Sequence, residues 1–171
     1  MDLHLQDKAV IVTGGAKGIG AAAVESFAAE GAKVAIAGRS PAEGEPLARE
    51  VGGIFIEAEL AEETACRNVV EETLKAFGQI DVLVNNAGFN DGRDLDTSPA
   101  EFIESVQLNL SHVYTLVHLC RGELAKNEGA IINVSSKVAV TGQGNTSGYA
   151  AAKGAMNALT REWAIALAPD N

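Results

Sequence analysis

Tyr149 and Lys153 lie four residues apart in the stretch YAAAK, within a segment otherwise made of alanine, glycine and small polar residues. On a helix this spacing places both side chains on one face. A phenol is a poor base at neutral pH, but a nearby ammonium stabilises its phenolate form. The pair could therefore remove the proton of an alcohol or protonate a carbonyl oxygen. A tyrosine and a lysine on a surface helix are the structural alternative, and the pair alone does not decide between them.

Two serines, Ser135 and Ser136, follow an apolar run and precede Tyr149. A hydroxyl at Ser136 could hold the same substrate oxygen by a hydrogen bond while a proton moves to or from it. The three residue types together suit proton transfer to or from the oxygen of an alcohol or a ketone.

A glycine-rich stretch, TGGAKGIG at residues 13–20, follows a buried apolar run and opens a helical pattern. In this context glycines at 14, 18 and 20 let backbone N–H groups and a helix N-terminus face a phosphate. Glycines also serve ordinary tight turns, but their position between a strand and a helix favours dinucleotide binding.

Two further strand ends bear on the cofactor. The second predicted strand ends in Gly38-Arg39-Ser40, where sites that prefer NAD usually carry a carboxylate. Arg39 and Lys17 instead suggest the extra phosphate of NADP, although both could be solvated and NAD is the alternative cofactor. The fourth strand ends in NNAG at 85–88, whose small residues let the backbone approach a cofactor ribose.

Short β-branched runs alternate with longer helical patterns along the whole chain. The predicted strands cover residues 8–14, 33–38, 54–59, 80–86 and 129–136, and the predicted helices cover 19–31, 41–53, 62–78, 98–124 and 146–168. This alternation predicts an α/β fold, a Rossmann-type doubly wound parallel sheet in a single domain over residues 1–171. In such sheets ligands bind beyond the carboxyl ends of the strands, where the motifs above fall.

Composition excludes several other classes. The chain of 171 residues carries a formal net charge of -10, which argues against nucleic acid and anionic membranes as partners. Its start shows no signal peptide, and no apolar run approaches the roughly 20 residues of a membrane helix. We therefore expect a cytoplasmic protein in which Cys66 and Cys120 are free thiols, a disulfide between them being the alternative. We expect no metal site.

These motifs together resemble the short-chain dehydrogenase/reductase family, in which TGGAKGIG would be the cofactor loop and Ser136 with YAAAK the active site. The resemblance implies that Tyr149 is the catalytic acid/base, that Lys153 binds the nicotinamide ribose and that Ser136 positions the substrate oxygen. Asn109, in QLNLS, matches the family's helix asparagine, which supports a water chain to the lysine. The implied cofactor contacts are Gly14, Lys17, Gly18, Ile19, Gly20, Arg39, Glu59, Leu60, Asn86, Ala87, Gly88, Tyr149 and Lys153.

The chain departs from the family in two places. Glu59 and Leu60 stand where the family usually has an aspartate near the adenine. Family members usually run to about 250 residues, so strands six and seven and the substrate loop have no counterpart here. We expect a truncated chain or a part of a longer protein, with the fifth strand left as an edge.

The segments expected around the substrate are polar. The sequences NNAGFNDG and SSKVAVTGQGNTSGY are similar to those of bacterial family members that oxidise L-fucose at its anomeric carbon to a lactone. On this resemblance the substrate is a sugar, with Asn90, Asp91, Ser136, Lys137 and Gln143 as its contacts. A reductase of β-ketoacyl groups or other ketones, and a cofactor-binding protein without turnover, are the alternatives.

Two predicted helices, 98–124 and 147–167, leave apolar faces beyond what one sheet covers. In the family this pair packs against its copy. The resemblance therefore implies a homodimer or homotetramer.

Overall fold

The computed structural model describes residues 3–170 as five strands and six α-helices in alternation. In that part of the chain, no helix is both long and apolar enough to cross a membrane. The elements are β1 (Ala9–Thr13), α1 (Gly18–Ala29), β2 (Lys33–Gly38), α2 (Pro41–Glu50), β3 (Ile54–Glu57), α3 (Glu63–Phe77), β4 (Val82–Asn85), α4 (Pro99–Lys126), β5 (Ala130–Asn133), α5 (Val138–Thr141) and α6 (Ser147–Ala166), followed by a 3₁₀ turn at Ala168–Asp170.

All five strands are parallel and lie in the order β3-β2-β1-β4-β5. The predicted doubly wound α/β fold is confirmed. The order reverses between β1 and β4, which is where such sheets form their ligand crevice. β5 lies at an edge, as expected, and its Ile132 is exposed.

Two apolar layers cover the sheet because side chains alternate along each strand. Ile11 and Leu83 belong to a layer with residues of α3 and α4. Val10 and Val12 belong to the opposite layer, with residues of α1 and α2. Every residue of β1 is buried. The central strand β1 is thus packed on both faces of the sheet. This packing fixes the position of its carboxyl end, from which the glycine loop begins.

The longest helix, α4, begins as the sequence predicts. Ser98 accepts a hydrogen bond from the Glu101 N–H, and the Glu101 side chain accepts one from the Ser98 N–H, which completes a capping box ahead of Pro99. The helix continues to Lys126, two residues beyond the predicted end. The residues after Ser136, predicted as a loop, contain the one-turn helix α5.

Cys66 and Cys120 are free and buried in the layer on the α3–α4 side. Burial raises the pKa of Cys66 to about 11 and that of Cys120 to about 12. Because the thiolate is the reactive form, both behave as small apolar core residues. The prediction of two free thiols is confirmed, and the disulfide alternative is wrong.

Candidate active site

An open cleft of about 640 Å³ lies at the carboxyl ends of the strands. Its lining contains residues that lie far apart in the sequence, from the loop after β1 to α6. All of the predicted cofactor contacts except Gly18 line it, namely Gly14, Lys17, Ile19, Gly20, Arg39, Glu59, Leu60, Asn86, Ala87, Gly88, Tyr149 and Lys153.

The glycine loop packs directly against the end of β4. A Cβ on Gly20 would lie 2.3 Å from the Gly14 carbonyl oxygen and 2.6 Å from Asn86 Nδ2. Gly14 and Gly18 have φ values of +61° and +57°, which residues other than glycine rarely adopt. A Cβ on Gly18 would itself meet open space. The three glycines therefore have different roles: Gly20 permits close packing, Gly18 permits a left-handed turn, and Gly14 is needed for both.

The start of α1 is suited to an anion. Lys17 is the N-cap residue, and within the described chain no side chain caps the N–H groups of the first turn, which also contains no acidic residue. Uncapped N–H groups and the helix dipole favour a negative charge at this end. The geometry fits the diphosphate of a dinucleotide.

Thr13, which sequence reasoning missed, joins the two strands that border the cleft. Its Oγ1 accepts hydrogen bonds from the backbone N–H groups of Asn86 at 2.9 Å and Ala87 at 3.0 Å, and donates to the Val84 carbonyl at 3.2 Å. In the opposite direction, Asn86 Nδ2 donates hydrogen bonds to the carbonyls of Thr13 and Gly14. The available signal was a lone hydroxyl at the end of the otherwise apolar β1.

Tyr149 and Lys153 project from the same face of α6, as their spacing predicts. Lys153 Nζ lies 5.8 Å from the centroid of the tyrosine ring and donates to the Val134 carbonyl at 2.7 Å. Lys153 is only 2% exposed. Burial lowers the pKa of Lys153 to about 8, so the amine still carries its charge at neutral pH.

Asn109 and Gly88 lie close to Lys153, and Gly88 lines the cleft. Asn109 is buried, its Oδ1 accepts from the Phe89 N–H at 2.8 Å, and its Nδ2 donates to the Ser105 carbonyl at 3.0 Å. A Cβ on Gly88 would lie 3.0 Å from Asn109 Oδ1 and 3.6 Å from Lys153 Nζ. The missing side chain therefore lets the Gly88 backbone approach Asn109 and the amine of Lys153 closely.

The two serines are used differently. Ser135 lines the cleft, and its hydroxyl donates to the Lys153 carbonyl at 3.3 Å. Ser136 is half-buried, and its Oγ accepts from the Val138 N–H at 3.4 Å, at the start of α5. Ser136 thus keeps its O–H available as a donor, which its predicted role requires.

The predicted sugar contacts lie outside the lining of this cleft. Asp91 accepts a hydrogen bond from Ser105 Oγ at 3.0 Å and forms an ion pair with Arg93 at 3.8 Å. Asn90, Lys137 and Gln143 are exposed. The structure therefore places Tyr149 and Lys153 in the cleft with the cofactor candidates, whereas Asn109, Ser136 and these four residues are not among the residues that line it.

Each of the two cations expected to face the adenosine ribose has a carboxylate partner. Lys17 Nζ lies 3.6 Å from Glu43 Oε2, and Arg39 lies 3.8 Å from Glu59 Oε2. All four residues line the cleft. Sequence reasoning considered carboxylates only after the second and third strands and so missed Glu43, which α2 brings to the same place.

His112 also lines the cleft and was not singled out from the sequence. Its Nε2 lies 3.2 Å from the Ala87 carbonyl. Burial lowers the pKa of His112 to about 4, the Ala87 carbonyl opposes this shift, and the charge of Lys153 adds to it. His112 is therefore neutral at pH 7 and can donate to that carbonyl. Its position three residues after Asn109 on α4 was the available signal.

We expect His112 to make the fold sensitive to acid. The unfolded chain takes up a proton near pH 6.5 and the folded chain only near pH 4, so between these values the unfolded state holds more protons. The free energy of unfolding should then fall by about 2 to 3 kcal/mol between pH 7 and pH 4.5. Urea unfolding at both pH values checks this. His112→Gln should remove this part of the pH dependence, whereas the exposed control His118→Gln should keep it; equal slopes in the two variants would refute the assignment.

The chain matches a family model, proteins of known sequence and solved structures. The sequence model of the short chain dehydrogenase family matches residues 8–171. An L-fucose dehydrogenase from Mus musculus is 40% identical over 161 residues, which is 92% of this chain. The crystal structure of Cj0485 dehydrogenase superposes with a TM-score of 0.95 at 40% identity, covering 100% of this chain and 67% of that one.

A third match contains a cofactor. The crystal structure of a 3-ketoacyl-(acyl-carrier-protein) reductase from Brucella melitensis complexed with NADH has a TM-score of 0.91 at 32% identity, over 97% of this chain and 72% of that one. In length the chain falls short of its curated relatives. It spans 59% to 62% of the L-fucose dehydrogenases of mouse, Bos taurus and Rattus norvegicus.

Proposed function

The chain belongs to the short-chain dehydrogenase family, and on that premise we propose that it forms the cofactor-binding and catalytic part of a nicotinamide-dependent oxidoreductase acting on CH–OH groups. The observation that carries the proposal is the meeting of Tyr149, buried Lys153 and Gly88 in one cleft with the glycine loop. The alternative of a tyrosine and a lysine on a surface helix does not account for their position in the same cleft as the glycine loop.

The proposed chemistry divides between cofactor and protein. A nicotinamide cofactor, held by the glycine loop and Lys153, would supply the hydride acceptor for the carbinol carbon. Tyr149 Oη takes the hydroxyl proton as phenolate in the oxidation, and returns it in the reverse direction. The charge of Lys153 stabilises that phenolate, and the Ser136 hydroxyl donates to the substrate oxygen. The step balances because the C–H and O–H bonds of the alcohol break as its C=O bond forms, with the hydride passing to the cofactor and the proton to Tyr149 Oη.

We propose NADP as the cofactor, with NAD as the alternative. The uncapped start of α1 would hold the diphosphate, and Lys17 and Arg39 would face the phosphate on the adenosine ribose. Gly88, Asn86 and Ala87 would lie along the nicotinamide half, next to Lys153. Glu59 and Leu60 would border the adenine.

We propose an aldose such as L-fucose as the substrate, oxidised at C1 to a lactone. The mouse relative named an L-fucose dehydrogenase supports this class, together with polar candidates Asn90, Asp91, Lys137 and Gln143. The similarity to the 3-ketoacyl reductase favours a second candidate, reduction of a β-ketoacyl thioester by the same residues.

A substrate panel separates these two activities. Aldoses with NADP or NAD, and a β-ketoacyl thioester with NADPH or NADH, are tested on this chain and on a chimera that continues it with the remaining part of the mouse protein. We expect oxidation of L-fucose or a close stereoisomer, and Lys137→Ala should raise the KM for the sugar while the surface control Lys126→Ala does not. Turnover of the thioester with none on any sugar would contradict the sugar assignment.

We propose further that the chain is a single domain of a cytoplasmic protein that associates at least as a homodimer. Exposed apolar side chains on α4 and α6, among them Ile103, Tyr114 and Ile165, support the association. A monomeric mass in solution would contradict it.

A further inference from the structure

The adenosine side of the cleft carries two ion pairs rather than two unopposed cations. Lys17 comes from the N-cap of α1 and Glu43 from the first turn of α2, and their charged atoms are 3.6 Å apart. Arg39 follows β2 and Glu59 follows β3, and their charged atoms are 3.8 Å apart. The four formal charges sum to zero.

These pairs remain open to solvent. The side chains of Lys17 and Arg39 are 79% and 69% exposed, and those of Glu43 and Glu59 are 45% and 54% exposed. Exposed pairs are weak and can exchange partners. A phosphate arriving at this place would therefore compete with carboxylates for both cations, whereas a ribose that carries only hydroxyls would leave the pairs in place.

We propose that Glu43 limits the preference of this cleft for NADP over NAD by acting as the counter-ion of Lys17. This rests on the proposed function, since it presumes that a nicotinamide dinucleotide binds here. Glu43 is a positioning residue: it holds Lys17 against α2, and the adenosine phosphate must displace it. The geometry favours Glu43 over Glu59 for this role because Lys17 lies on the loop that is also proposed to hold the diphosphate.

The test is the ratio of dissociation constants for NADP and NAD, measured by titration calorimetry on the full chain. Glu43→Gln keeps the shape of the side chain and removes its charge. We expect it to tighten NADP relative to NAD by about three- to tenfold, an effect that weakens as salt is added. The matched control is Glu45→Gln on the same helix, because Glu45 pairs with Arg49 and lies outside the cleft lining. It should leave the ratio unchanged.

A second background separates this mechanism from simple repulsion between Glu43 and the phosphate. If Glu43 acts through Lys17, the Glu43→Gln effect should largely vanish when Lys17→Gln is already present. An undiminished effect in that background would overturn the proposal, as would equal ratios for Glu43→Gln and Glu45→Gln in a chain that binds both cofactors. Failure of the unaltered chain to bind either cofactor is a different result, and it would overturn the proposed function itself.

Discussion

Replacing Tyr149 by phenylalanine should reduce oxidation of the sugar substrate by about 10²- to 10⁴-fold, the range that a positioned acid or base contributes. The substitution removes only the phenolic oxygen, which is the atom proposed to take the proton. The ring would remain above α6, 5.8 Å from Lys153 Nζ, so the wall of the cleft would be unchanged. The loss should therefore appear in kcat, while the dissociation constant of NADP stays within about threefold.

Tyr114→Phe is the matched control for this experiment. Tyr114 lies on α4, is 58% exposed and stacks on His118, so the loss of its hydroxyl should alter neither turnover nor cofactor binding. Both variants are measured by NADPH fluorescence under saturating cofactor, in the chimera with the mouse protein if this chain alone is inactive. Retention of more than a tenth of the activity in Tyr149→Phe would remove Tyr149 from the role of acid or base.

Gly20→Ala is expected to damage the fold and the cofactor site together. The new methyl group would lie 2.3 Å from the Gly14 carbonyl oxygen, a backbone atom that cannot turn aside as a flexible side chain could. Relief requires α1 to move away from the end of β1, and overpacking of this kind costs about 2 to 3 kcal/mol. The same movement displaces the N–H groups proposed to hold the diphosphate, so NADP affinity should fall by at least about a hundredfold.

The control for Gly20→Ala is the same substitution at Gly122. A Cβ at that position in α4 meets open space, and alanine favours the helix by up to about 1 kcal/mol over glycine. Urea unfolding and cofactor titration on both variants give the comparison. An alanine at position 20 that leaves stability and affinity intact would show that the close approach of Gly14 and Gly20 has no energetic weight.

The alternation of strands and helices, the glycine turn and the shared helix face of Tyr149 and Lys153 follow from local patterns, and so the sequence could predict them. The side-chain period of two residues in a strand, or of nearly four in a helix, is visible within a single element. A parallel sheet then brings the carboxyl ends of its strands to the same edge. The boundaries were less accurate. β5 is shorter than its predicted range of 129–136 because its last residues turn away to the Ser136 hydrogen bond that starts α5.

The contacts that the sequence could not predict join elements distant in the chain. Lys17 meets Glu43 only because α1 and α2 start at neighbouring strand ends. Thr13 bonds to Asn86 across 73 residues, and His112 reaches the Ala87 carbonyl across 25. Such contacts depend on tertiary packing and leave no periodic pattern in the sequence. They could therefore be identified only from the structure.

The measurement that tests the cofactor site most directly is the melting temperature of this chain with NADP, with NAD and with neither. A ligand that binds only the folded state stabilises it by an amount that grows with the ratio of its concentration to its dissociation constant. We predict that both cofactors raise the melting temperature, NADP somewhat more than NAD, and that Gly20→Ala abolishes both shifts. An unchanged melting temperature with either cofactor at millimolar concentration would contradict the proposed dinucleotide site in this chain.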